Sequence, residues 1–264
     1  MARRRRGSHS EAYFHVINRS VRKAPLFRRP NDYRAFLEVL RQGLERHPAR
    51  LISYCVMANH WHLVMGPVDP ARLSKLMHWV TVTHAVRWHH HRNTVGQGSV
   101  YQGRFKSFHI EAAAQLMRAC RYVERNALRA GLVKRAQDWP WCSLAARLLP
   151  QTTLPLVSTP FLESDAWIQY VNTPQQAEEL ERSVPQHAKS VENRSDPLYD
   201  GAEAPGQFTN RAKRRKNGIA VAGRHDQHQA HAHVERAEHL RVVDLPRALQ
   251  PAKQRRHRPA LAIK

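Results

Sequence analysis

Cysteine occurs only three times in 264 residues, at Cys55, Cys120 and Cys142, and the spacing forms no CxxC pair. That excludes a disulfide framework and a cysteine zinc ribbon, and it fits a reducing, cytoplasmic setting. No run of about 18 apolar residues occurs, so no membrane span is expected. The opening Met1–Arg6 is basic but no apolar segment follows it, which argues against a secretory leader. The patterns GxxxxGK[ST], GxGxxG and HExxH are all absent, so a nucleotide-driven motor and a zincin protease lose support. Acidic residues are sparse as well: 21 Asp and Glu stand against 43 Lys and Arg, a formal net charge of +22. Such an excess points to a polyanionic partner, because each cation seated at a phosphate releases a condensed counterion. Charge selects nucleic-acid binding as a class, and a nucleoid-associated location with it, without choosing an activity.

What is present divides near residue 186. Hydrophobic residues make up 42% of the chain, enough for a real core. Regular apolar patterning is confined to the first part. Residues 1–10 are expected to be a basic flexible arm, 11–150 a folded domain, and 151–186 a helical extension. Residues 187–264 carry Arg211-Ala-Lys-Arg-Arg-Lys216, many His and Gln and few aromatics, and are expected to be a disordered basic tail with at most a helix around 229–241.

Within the first part, Tyr13-Phe-His-Val-Ile-Asn18 is expected to form a strand. Tyr33, Phe36, Leu37, Leu40 and Leu44 recur at helical spacing after Pro30. Leu51–Met57 and His60–Met65 are expected to pair antiparallel across a turn at Ala58-Asn59. A second helix follows from Leu73 to about His91, then an extended segment from Tyr101 to Ile110. A third helix opens at Glu111, passes Leu128 and is stopped by Gly131. This order predicts an α+β fold, a ferredoxin-like antiparallel sheet with helices packed on one face.

Three groups of residues carry chemistry. His60 and His62 sit two apart on a strand, so both imidazoles project to one face with Trp61 buried behind them. Two neutral imidazoles on one rigid strand make a bidentate metal platform. Two unrelated histidines on a solvated face would show the same spacing. Tyr122 and Asn126, four apart, share a helix face, which would place a nucleophile beside a third metal ligand. A packing tyrosine and a helix-terminal asparagine fit that spacing too. Arg118, Arg121, Arg125 and Arg129 flank the same helix, as phosphate contacts or as a solvated basic face. Gln102-Gly-Arg-Phe-Lys-Ser107 joins a glycine, two cations and an aromatic, a mixture suited to a phosphate backbone and a stacked base. Trp88-His-His-His91 is expected to be a basic helix end and not a metal site.

Five blocks in register carry a resemblance: Tyr13-Phe-His-Val-Ile-Asn-Arg19, Tyr54-Cys-Val-Met-Ala-Asn-His-Trp-His-Leu-Val64, Tyr101-Gln-Gly-Arg-Phe-Lys-Ser107, Tyr122-Val-Glu-Arg-Asn-Ala-Leu-Arg-Ala-Gly-Leu-Val133 and Asp138-Trp-Pro-Trp-Cys-Ser143. Together they resemble the single-tyrosine HUH transposases, specifically the REP-associated tyrosine transposases among the IS200-like enzymes. The resemblance spans residues 11–150 and makes them the catalytic domain. It implies that His60 and His62 bind Mg²⁺ or Mn²⁺, that Tyr122 is the nucleophile, and that Asn126 completes the metal site, where some relatives carry a longer Gln. It also implies a substrate: single-stranded DNA bearing REP-like palindromes that fold into hairpins, cut and rejoined through a 5′-phosphotyrosine. Arg104, Lys106, Arg121, Arg125 and the arm at Arg3–Arg6 are the candidate backbone contacts. Relatives in this group act as monomers or homodimers. The alternative is a catalytically inactive protein of the same fold that binds hairpin DNA or RNA. The segment from Pro185 onward matches no pattern in the group.

Overall fold

The computed structural model describes residues 12–149, 154–159 and 161–174. The expected arm, the basic tail, the helix near 229–241 and most of the second half of the 151–186 extension lie outside the described residues. In chain order the elements are β1 (Ala12–Arg19), α1 (Pro30–Arg46), β2 (Leu51–Val56), β3 (His60–Val68), α2 (Pro70–Arg92), β4 (Lys106–Ile110), α3 (Ala113–Glu124), α4 (Asn126–Arg129), α5 (Ser143–Arg147) and α6 (Asp165–Asn172). The four strands form one sheet in the order β2-β3-β1-β4, with every neighbouring pair antiparallel. The expected α+β antiparallel architecture is the one observed.

Local chemistry explains the helix ends. Pro30 and Pro70 sit in the first turns of α1 and α2, where a missing N–H costs nothing. Asp69 caps α2 by accepting from the amides of Ala71 at 2.8 Å and Arg72 at 3.0 Å. Asp32 accepts from the amides of Arg28 and Arg29 at the start of α1, and its carboxylate also takes Arg92 from the last turn of α2 at 2.9 Å. One carboxylate thus ties the beginning of α1 to the end of α2. The crossing of the two helices needs Gly43: a Cβ there would lie 2.6 Å from Val80 Cγ2, so a larger residue would push them apart.

Helices cover both faces of the sheet, which refines the expectation of one helical face. Trp61, fully buried on β3, stacks on Phe36 of α1 at 5.7 Å, so α1 and α2 cover the Trp61 face. Residues 60 and 62 point the other way, and there α3 lies against β2 and β3. The physical reason is in α3 itself: Leu116, Met117, Ala119, Cys120 and Val123 are all buried, an apolar stripe that needs a sheet face of its own. The third helix is also interrupted. α3 ends at Glu124, and α4 begins at Asn126 after a single linking residue, Arg125. All three cysteines are buried, and burial pushes the Cys142 thiol up to about 12.

A buried polar chain runs behind the strand histidines. Trp61 Nε1 donates to the Tyr101 hydroxyl at 3.3 Å, and that hydroxyl sits 2.7 Å from His84 Nδ1 on α2. Desolvation lowers the His84 pKa to about 4. The folded-state pKa lies below the unfolded value, so the unfolded chain takes up the proton first. Stability from this group is therefore complete above about pH 6.5 and is lost as pH falls toward 4. The expected result is a denaturant midpoint that declines from pH 6.5 to 4.5, and a shallower decline in His84→Phe. Equal slopes in the two proteins would count against a buried neutral imidazole.

Candidate functional site

The strand register assembles the face that α3 covers. Alternation along β1 puts His15, Ile17 and Arg19 on one side, and their antiparallel partners on β3 are Val64, His62 and His60. On β4, Phe108 and Lys106 pair with His15 and Ile17 and face the same way. Tyr122 comes down from α3 onto this surface. Its ring centroid is 5.9 Å from that of His62 and 6.0 Å from that of His15, both edge-on. The rings of His60 and His62 are 5.1 Å apart and nearly perpendicular. Four rings, three imidazoles and a phenol, therefore meet at one spot. Tyr122 is 1% exposed, His62 0% and His60 7%.

Both strand histidines are held through Nδ1. Asn59 Oδ1 lies 2.6 Å from His60 Nδ1, and His15 Nε2 lies 2.9 Å from His62 Nδ1. The Nε2 atoms of both rings are buried. Two neutral imidazoles offering Nε2 from one rigid strand fit the first two ligands of a divalent cation. Among the described residues, no group of three His, Cys, Asp or Glu side chains forms a metal-holding cluster. A third protein ligand would have to be of another kind, as an Asn carboxamide is. Asn126 opens α4, is 2% exposed, and its Oδ1 lies 3.4 Å from Arg129 Nη2. Arg129 in turn lies 4.7 Å over the Tyr122 ring. Asn126 and Tyr122 are thus joined through one guanidinium.

The helix carrying Tyr122 is anchored from below by Glu124, whose side chain is fully buried. Its carboxylate accepts from Ser143 Oγ at 2.5 Å, Arg147 Nη1 at 2.5 Å, Trp167 Nε1 at 2.7 Å and Ser53 Oγ at 3.3 Å. Four elements (β2, α3, α5 and α6) meet at this one group. Arg147 also donates to the carbonyl of Ile52.

The arginines of this helix divide in an unexpected way. Arg121 is 1% exposed, donates to the Thr173 carbonyl at 2.9 Å and lies 3.9 Å over the Tyr170 ring. Arg125 donates to the Val171 carbonyl at 2.7 Å. Both guanidinium groups meet the carbonyl end of α6, where the helix dipole favours a cation. These two cations, expected at phosphates, have their guanidinium groups engaged by carbonyls of the protein itself. Arg104 and Lys106, in contrast, are exposed. They border a cleft of about 300 Å³ that Arg19, Gln102 and Gly103 also line. Its position is fixed by the β1 end, because the Gln102 amide donates to the Arg19 carbonyl at 2.9 Å and Asn18 Nδ2 to the Gly103 carbonyl at 3.3 Å. The Trp88–His91 cluster behaves as a helix end: His89 engages Thr94 Oγ1 and the Gly98 carbonyl with its two ring nitrogens.

His15, Asn59 and Glu124 were not singled out for roles in the sequence, and Arg129 only as one of four flanking cations. Strand alternation offered a signal for His15 and helical spacing one for Arg129. For Asn59 and Glu124 only the tertiary partners reveal the role.

Residues 8–126 match the profile of the family described as "Transposase IS200 like". A solved structure described as that of the REP associates tyrosine transposase bound to a REP hairpin is 18% identical, with 61% of this chain and 96% of that chain covered at a TM-score of 0.42. No curated protein matches the chain. Among the described residues no helix is long and apolar enough to cross a membrane.

Proposed function

We propose that this chain, whose residues 8–126 match the profile of the IS200-like transposase family, is a member of that family that cuts and rejoins single-stranded DNA at hairpin-forming sequences, with Tyr122 as the nucleophile and a divalent metal as its cofactor. The observation that carries the proposal is the meeting of the Tyr122 ring with the His62 ring at 5.9 Å, from elements 60 residues apart in the chain. The hairpin follows from the sequence resemblance. The net charge of +22 and the exposed Arg104 and Lys106 beside the cleft support a polyanionic strand in that place.

In this reading the Tyr122 phenolic oxygen attacks the scissile phosphorus in line. The new P–O bond forms as the bond to the 3′ oxygen breaks. The phenolic proton leaves to solvent and the departing oxygen takes one up as a 3′-hydroxyl. The 5′ side remains joined to Tyr122 as a phosphodiester, so a second 3′-hydroxyl can reverse the step without ATP, consistent with the missing P-loop. His60 and His62, with Asn126 as a third ligand, would hold Mg²⁺ or Mn²⁺. When bound, that cation supplies charge neutralisation at the phosphate. Arg129, lying over the phenol ring, favours the charge that develops on the Tyr122 oxygen. Arg104 and Lys106 position the flanking phosphates. Tyr122 is 1% exposed, so the strand reaches it only after side chains over the ring rearrange, Arg129 among them.

The test is to incubate the full chain with single-stranded oligonucleotides carrying inverted repeats, with Mg²⁺ or Mn²⁺ against EDTA. The expected result is a protein–DNA adduct resistant to denaturing electrophoresis, formed only with metal and mapping to the peptide that contains Tyr122. Tight hairpin binding with no adduct under either metal would favour the non-catalytic binder.

A further inference from the structure

The two strand histidines are gripped at the same ring atom by different partners, and for His60 the identity of the partner decides which ring nitrogen carries hydrogen. Asn59 makes the argument for His60. Its Nδ2 donates to the Lys23 carbonyl at 3.2 Å, which settles the two ends of the amide, because a carbonyl oxygen turned toward Lys23 would meet another acceptor. Oδ1 is therefore the end 2.6 Å from His60 Nδ1. An amide oxygen only accepts, so Nδ1 carries the hydrogen and Nε2 the lone pair. Asn59 is itself clamped to the end of β1, its carbonyl accepting from the Ser20 amide at 2.9 Å. For His62 the partner is a third imidazole. His15 Nε2 is 2.9 Å from His62 Nδ1, and the two rings stack at 5.2 Å with 20° between planes, which fixes the ring orientation. A lone pair at His62 Nε2 requires hydrogen at Nδ1, and His15 Nε2 is placed to accept it.

We propose that Asn59 and His15 are positioning residues that hold His60 and His62 in the Nδ1–H form, so that both Nε2 lone pairs face one divalent cation. This rests on the metal-site reading above and says what makes that site selective for an intact pair. The bond made at one ring nitrogen sets the state of the other. Removing such a partner typically costs about 10- to 100-fold in metal affinity. Neither residue needs to touch metal or DNA.

Two measurements on the full chain test it. Long-range ¹H–¹⁵N spectra of the metal-free protein above pH 7.5 report the tautomer of each ring. Mn²⁺ titration followed by electron paramagnetic resonance reports affinity. The chain has 18 histidines, so the relevant binding is the part lost in His60→Ala/His62→Ala. The expected results are a His60 signal of the Nδ1–H form and about 10- to 100-fold weaker Mn²⁺ binding in Asn59→Leu and His15→Phe. His15→Gln keeps an accepting oxygen at the same place and should stay near wild type, a rescue that a merely structural role would not show. His60 found in the Nε2–H form overturns the proposal even if the apolar variants fail to fold. So does wild-type affinity in folded Asn59→Leu and His15→Phe. A wild-type chain that takes up no Mn²⁺ at that pair overturns the metal-site reading itself, and this inference with it.

Discussion

Tyr122→Phe should abolish the covalent protein–DNA adduct and reduce hairpin cleavage on the order of 10³-fold or more, while hairpin binding and thermal stability stay near wild type. The substitution removes one oxygen and keeps the ring. The edge-on contacts of that ring with His62 and His15, and its place under Arg129, are therefore retained. Loss of chemistry without loss of binding is the pattern of a nucleophile. Equal loss of binding would point to a packing tyrosine. Persisting cleavage in the variant would assign the reaction to another group and sink the mechanism proposed above. The comparison is made under single-turnover conditions with the adduct and the freed 3′-hydroxyl strand both measured, so that binding and chemistry are separated.

Glu124→Ala should be the most damaging change to stability, costing about 3–5 kcal/mol. The carboxylate is fully buried and accepts from four side chains, so its removal strands the Arg147 guanidinium, whose side chain is 3% exposed, in a site closed to water. For a domain of this size about 1 kcal/mol shifts the thermal midpoint by roughly 2–4 °C, so a fall on the order of 10 °C is expected. Removing both charges together, as in Glu124→Leu/Arg147→Met, should recover a large part of that loss, because the penalty lies in leaving one charge buried alone. Thermal unfolding followed by circular dichroism reads both variants. A single-variant shift below about 3 °C would show that the group is not the anchor of the Tyr122 helix. Glu124 sits two residues from Tyr122, so folded Glu124→Gln should also lose adduct formation as α3 loosens, more than it loses hairpin binding.

Much of the site was legible before any tertiary contact was known. The HxH spacing on a short apolar strand predicts two imidazoles on one face and a buried Trp61, and β3 has that arrangement. The apolar positions from Leu116 to Val123 predict a helix carrying Tyr122, and α3 provides it. The order of strands and helices predicts an antiparallel α+β sheet. Other features were not legible for identifiable reasons. A run of helix formers from Glu111 to Leu128 carries no mark of the break at Arg125. Arg121 and Arg125 look like surface cations by residue type, and only the docking of α6 turns them inward. His15 is one of 18 histidines until the register of β1 on β3 places it against His62, 47 residues away.

The sequence by itself determined what depends on neighbours within a few residues: the two-residue period that aims His60 and His62 together, the helical period of the segment carrying Tyr122, the caps at Asp69 and Pro70, and the excess of cationic side chains. These follow from backbone geometry and side-chain type, which are local quantities. The tertiary structure alone decided which face α3 covers, which arginines face inward, which partner holds each imidazole, and that a single carboxylate at Glu124 anchors the helix carrying Tyr122. Apart from Asn59, which adjoins His60, those outcomes depend on the pairing of segments 19 to 90 residues apart. Strand register, close packing and the need to satisfy every buried charge select that pairing jointly, so no short stretch of chain contains it.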